Sequence, residues 1–202
     1  FCENYSHRCF TKFYGFVKEK NKIIGFIYEY LSNNSLQFLI ESRQKPIDKM
    51  YSLIVINRIT QGIDYLQKNS LVHRDLKPLN ILLDHDYLPY ISDFETIRKI
   101  DSKRDNYSSD TDDEITADIG SVFFSSPEQY FNGFITNTSD LYSFGFILYY
   151  LYENKKMMLS NHLNNQNLEI SFITNNLQSI FKSCVQTNPE KRITNDELKK
   201  RM

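Results

Sequence analysis

Tryptophan is absent from this 202-residue sequence, and glycine, proline and cysteine are scarce, at 6, 5 and 3 residues. Cys2, Cys9 and Cys184 form an odd set without CxxC spacing, which suggests neither a disulfide framework nor a zinc site. Free thiols in a reducing, intracellular and cytoplasmic setting are the expectation. No run reaches the roughly 18 apolar residues of a membrane span. The richest stretch, Phe144 to Tyr152, suits a buried helix instead. Charge of one sign is also missing: 24 basic against 25 acidic residues leave a net of -1, so no field draws in nucleic acid or anionic lipid. The chain starts at Phe1 without an initiator Met or the basic and apolar regions of a signal peptide, which predicts that it is cut from something longer.

What is present is an apolar fraction of 41% and a charged fraction of 24%, enough for one soluble domain with a real core. Lys12 to Val17 and Ile23 to Tyr30 are aromatic-rich runs separated by a charged loop, the pattern of a β-hairpin. After Ser32 to Ser35 the apolar period moves from 2 to about 3.6. Leu36, Leu39 and Ile40 predict one helix, and Met50, Leu53, Ile56, Ile59, Ile63 and Leu66 a longer one capped by Asp48. Ile81 to Leu83 and Tyr90 to Ser92 read as brief strands around the turn Asp84-His85-Asp86. Leu141, Phe144, Ile147, Leu148 and Leu151 mark another helix, as do Leu177, Ile180, Phe181 and Cys184. Thr194, with Glu197 three residues on, predicts a capping box opening the last one. The fold class expected is α+β. Asp101 to Asp118, with seven acids, two bases and no apolar period, is expected to be a loop.

The residues from His73 to Asn80 pack a base, a fixed cation, a carboxylate, a Lys and an amide into one short stretch after the long helix. An exposed polar loop closed by proline has the same look. Thirteen residues beyond Asn80, however, Asp93 presents a second carboxylate at a strand end, followed by Phe94. Phosphoryl transfer needs such a set: a carboxylate to take the hydroxyl proton, a cation for the γ-phosphate, and hard oxygen ligands for Mg²⁺. Asp75, Lys77, Asn80 and Asp93 supply them.

His73-Arg74-Asp75-Leu76-Lys77-Pro78-Leu79-Asn80 followed by Asp93-Phe94 resembles the catalytic loop and metal-binding motif of eukaryotic protein kinases. Ile27 to Leu36 looks like the last small-lobe strand and hinge. Ser126-Pro127-Glu128, Ser139 to Gly145, and Arg192 within Pro-Glu-Lys-Arg-Ile-Thr also match in order. The resemblance covers the whole chain and implies one incomplete kinase domain, with 1–30 a remnant of the small lobe and start of the hinge, 31–202 the large lobe, and 93–128 the activation segment. It implies ATP and Mg²⁺ as cofactors, Asp75 as base, Lys77 as the γ-phosphate cation, and Asn80 and Asp93 as metal ligands. Arg74 would pair with a phosphorylated residue. His73 would pack under Phe94. Glu128 and Arg192 would form a buried ion pair, with Asp140 bracing the loop. Tyr28 would stand beside the adenine, Glu29 and Leu31 would read its edge through their backbone, and Leu82 would lie beneath it or serve as ordinary strand core. Lys77 and Ser121 resemble the serine/threonine type, so the implied partner is a protein bearing Ser or Thr. The hinge looks most like that of the tyrosine-kinase-like group.

Three departures from the pattern stand out. Only Gly15 and Gly25 precede the hinge, with no GxGxxG and no strand Lys, so this chain by itself is expected to be inactive and to expose apolar surface on its hairpin. Glu95 replaces the Gly expected after Asp93-Phe94, adding a Cβ and a charge. The stretch between Glu153 and Ile173 is short for a docking surface. The expected function is a signalling kinase acting on Ser and Thr, the alternative a pseudokinase or scaffold. Ser108, Ser109, Thr111 and Thr116 are candidate modified residues in an acidic loop.

Overall fold

The aromatic-rich hairpin forms first along the chain: β1 (Phe13–Glu19) pairs antiparallel with β2 (Lys22–Tyr28), from Phe13 opposite Tyr28 to Glu19 opposite Lys22. The register shifts after Phe13, where Gly15 takes φ +153°, a backbone setting that disfavours side chains. Ile23, Ile24, Phe26 and Ile27 are each about half exposed, so the hairpin carries a sizeable apolar surface into solvent. The structure is a computed structural model that describes residues 4–20, 22–43, 47–100, 123–153 and 175–202.

A mostly helical body follows. Ser35 Oγ accepts the Phe38 amide to open α1 (Leu36–Glu41), and Asp48 Oδ1 accepts the Met50 and Tyr51 amides to open α2 (Lys49–Lys68). The buried stripe of α2 runs through Ser52, Val55, Ile56, Ile59, Ile63 and Leu66. Met50 and Leu53, expected on it, are exposed, because the 3.6-residue period of that stripe passes through 52 and leaves them to one side.

The strands after α2 are short. β3 (Leu71–Val72) pairs with β6 (Arg98–Lys99), and β4 (Ile81–Leu83) with β5 (Pro89–Ile91), Ile81 facing Ile91. β5 thus sits one residue earlier than expected, and Ser92 bonds to the Asn80 carbonyl instead. Residues 9–11 lie along β5 through Ile91 N to Cys9 O (2.8 Å) and Thr11 N to Ile91 O (2.9 Å).

The remaining helices are α3 (Pro127–Asn132), α4 (Ser139–Glu153), α5 (Asn175–Cys184) and α6 (Asn195–Arg201). Thr194 and Glu197 form the expected capping box on α6. From Ser139 to Leu151 only Tyr149 is not fully buried, so α4 is wrapped on nearly all sides. Its Gly145 lies so close to α5 that a Cβ would meet Val185 Cγ1 at 2.7 Å and Cys184 Cβ at 2.9 Å. Gly145→Ala is therefore expected to lower stability by about 1–3 kcal/mol in urea unfolding. Gly25→Ala, whose Cβ meets nothing within 4 Å, should shift it by less than about 0.5 kcal/mol.

Cys9 and Cys184 are free thiols and buried, and among the described residues no helix is long and apolar enough to cross a membrane. Cys2, the acidic stretch 101–118 with its Ser and Thr residues, Ser121, and the stretch between Glu153 and Ile173 lie outside the described residues.

Candidate active site

The chain leaves β3 into a turn whose backbone would be unfavourable without outside support. Arg74 has φ +74°, a left-handed setting that costs a side-chain-bearing residue about 1–3 kcal/mol. Asp140, in the first turn of α4 and buried, accepts the His73 amide at 2.8 Å and the Arg74 amide at 3.1 Å. Burial pushes the Asp140 carboxyl up, against those two donors. His73 is buried as well. Its Nε2 lies 2.9 Å from the Ser92 carbonyl, which can only accept, so that nitrogen carries the proton.

Asp75, Lys77 and Asn80 meet on a single carboxylate oxygen. Lys77 Nζ lies 2.7 Å from Asp75 Oδ2, and Asn80 Nδ2 donates to the same oxygen at 2.9 Å and to the Asp75 carbonyl at 2.8 Å. Asn80 can reach back because Pro78, at the first position of the helical turn Pro78–Asn80, winds the chain tightly. Its amide nitrogen being committed, its oxygen is the atom it has left for a cation. Asp75 Oδ1 makes no bond among the described residues.

Asp93 is carried to this cluster by its neighbours. Ser92 donates its amide (2.9 Å) and hydroxyl (3.0 Å) to the Asn80 carbonyl. On the other side, the Phe94 ring is buried 5.5 Å from Phe10 and 6.2 Å from both Tyr28 and His73. Asp93 itself is exposed at φ +63°. Glu95, which stands where Gly was expected and adds a Cβ and a charge, is exposed, and the left-handed residue here is Asp93.

The linker after the hairpin runs beside β4. Glu29 N donates to Lys12 O (2.8 Å), Asn33 N to Leu83 O (3.0 Å) and Leu83 N to Asn34 O (2.9 Å), while Ser35 bridges Leu82. Half-buried Tyr28, Glu29, Leu31 and Leu82 therefore border one side of the body, with Tyr28 joined to the Asp93 region through Phe94.

Glu128 and Arg192 form a forked, buried pair, Nη1 to Oε1 at 2.8 Å and Nη2 to Oε2 at 2.9 Å. Ser139 Oγ donates to Glu128 at 2.8 Å, and Arg192 also reaches the Thr138 and Gln186 carbonyls. Burial works to raise the Glu128 carboxyl, but the Arg192 hydrogen bonds and charge outweigh it and hold the group below the usual carboxylate range. Two further residues touch the turn at Arg74: Thr96 Oγ1 donates to the His73 carbonyl and Gln129 Nε2 to the Arg74 carbonyl, both at 2.7 Å. Nothing local in the sequence marks either, since each acts on backbone distant along the chain.

This constellation, on an α+β body with a small hairpin, has known counterparts. A model of the protein tyrosine and serine/threonine kinase domain matches residues 1–202. A G-type lectin S-receptor-like serine/threonine-protein kinase of Arabidopsis thaliana is 35% identical over 155 residues, covering 74% of this chain and 17% of that protein. A cysteine-rich receptor-like protein kinase of the same plant is 30% identical across 95% of this chain and 33% of its own length. A probable LIM domain-containing serine/threonine-protein kinase of Dictyostelium discoideum is 29% identical over 74% of the chain and 22% of its own. The chain belongs to the protein tyrosine and serine/threonine kinase family and spans a third or less of the length of these relatives.

Proposed function

We propose that the natural full-length protein transfers the γ-phosphate of ATP to Ser and Thr hydroxyls of protein substrates in signalling inside the cell. The observation that carries this is the convergence of Lys77 and Asn80 on Asp75 Oδ2, which aims a carboxylate while leaving Oδ1 without a bond among the described residues. Asp75 orients the acceptor hydroxyl and takes its proton, and Lys77 neutralises charge on the transferred phosphoryl group. Asn80 Oδ1 and the Asp93 carboxylate fit Mg²⁺, which favours oxygen donors and one or two carboxylates, with nucleotide phosphates completing its shell. When bound, the ion neutralises phosphate charge. Backbone groups of Glu29 and Leu31 read the adenine edge beside Tyr28, with Leu82 beneath it. Arg74 is offered for a phosphorylated residue of segment 93–128, and Glu128, Arg192 and Asp140 hold that segment and the loop. Activity is ascribed to the full-length protein because no GxGxxG stands within residues 1–202 to cradle the phosphates.

The names of the relatives support the choice of Ser and Thr over Tyr. The test is transfer of labelled γ-phosphate to mixed Ser, Thr and Tyr peptides. Label on Ser and Thr, lost on chelation of Mg²⁺, is the expected result. Labelling equal to that of Asp75→Asn would defeat the reading and leave a binding module without transfer, for which Glu95 is the sequence argument.

A further inference from the structure

His73 and Arg74 bring the chain to Asp75, and side chains hold all four of their polar backbone atoms. The peptide unit between His73 and Arg74 is gripped at both ends, its carbonyl by Thr96 Oγ1 at 2.7 Å and its N–H by Asp140 Oδ1 at 3.1 Å. The next unit, between Arg74 and Asp75, has its carbonyl held by Gln129 Nε2 at 2.7 Å. Since the first unit sets φ of Arg74 and the second sets ψ, these bonds together fix the left-handed setting at +74°. The direction in which Asp75 leaves its Cα follows from the second unit.

We infer that Thr96 and Gln129 are positioning residues for Asp75, tying the two ends of segment 93–128 to the loop that carries the base. Thr96 lies three residues after Asp93, and Gln129 directly follows Glu128, whose pairing with Arg192 anchors α3. A shift of either end therefore rotates a peptide unit next to Asp75 without touching ATP.

The inference rests on the kinase reading, and its test separates the two. In the full-length protein, Thr96→Val and Gln129→Met keep shape and remove the donor, while Thr96→Ser keeps it. Each donor-less variant is expected to lower kcat about ten-fold with KM for ATP changed by less than about two-fold, and Thr96→Ser to stay within about two-fold of wild type in kcat. Amide exchange across 73–80 should quicken about ten-fold in the donor-less variants while α2 is unchanged. Unaltered kcat in both of them, or a Thr96→Ser defect as large as that of Thr96→Val, overturns the inference. If wild type transfers no phosphate the kinase reading fails by itself. Exchange then decides: selective loosening of 73–80 sustains the positioning role, and unchanged protection overturns it.

Discussion

On the proposed function, Asp75→Asn in the full-length protein is expected to lower kcat by about 10²–10⁴-fold, the range lost when a general base is removed, and to leave KM for ATP nearly unchanged. The amide has the shape of the carboxylate, and the turn that presents it is held through backbone atoms of His73 and Arg74, so the loop keeps its course. What disappears is the charge that Lys77 and Asn80 converge on at Oδ2 and the basicity of Oδ1. The amide oxygen can still accept from one of those donors, but it takes no proton from a substrate hydroxyl. Steady-state kinetics with ATP and a Ser-bearing peptide measures the effect. A loss of less than about five-fold would assign deprotonation to solvent instead.

Arg192→Met is expected to remove about 3–5 kcal/mol of stability, the cost of leaving one member of a buried pair alone. Glu128 would keep its position under α4 with the Ser139 and Thr136 hydroxyls as remaining donors. Pairing the change with Glu128→Gln should restore part of the loss, because no unpaired charge then stays buried. The pH dependence carries the sign. With Arg192 present the Glu128 carboxyl is held low, so its contribution is full at neutral pH and is lost as acidity passes its folded value. Without Arg192 the burial that works to raise the group is opposed only by Ser139 and a backbone hydrogen bond, so the loss of stability on acidification is expected to shrink. Asp140 is pushed up by burial in both proteins, so the difference between their urea midpoints, from neutral pH toward acid, isolates Glu128.

Residues that act through their own neighbours in sequence could be read from the chain. Asp48 and Thr194 cap helices by bonding amides two or three residues on, and the stripe of α2 recurs at the helical period. The hairpin was legible for the same reason, as two alternating runs around a charged loop. β3 and β6, of two residues each, are too short to impose a period and exist only because tertiary structure sets Leu71 opposite Lys99. The candidate site shows the same division. Asp75, Lys77, Asn80 and Asp93 were visible as chemistry at close spacing, and the structure sets the first three on one oxygen. Thr96 and Gln129 were not visible, since a hydroxyl or amide bonded to backbone 23 or 55 residues away leaves no local trace. The left-handed setting of Asp93 was not visible either, since no glycine announced it.

The bonds that shape the turn at Arg74 also determine when in folding that turn can exist. His73 reaches Asp140 across 67 residues, Arg74 reaches Gln129 across 55, and Glu128 reaches Arg192 across 64. Closing loops of such length spends chain entropy before any bond rewards it, so these contacts form late and together. Short-range helices such as α2 can flicker into being early, but the strained turn has no local partner to hold it. The course of the chain at Arg74 and Asp75 is thus a property of the completed fold and not of the segment that carries them.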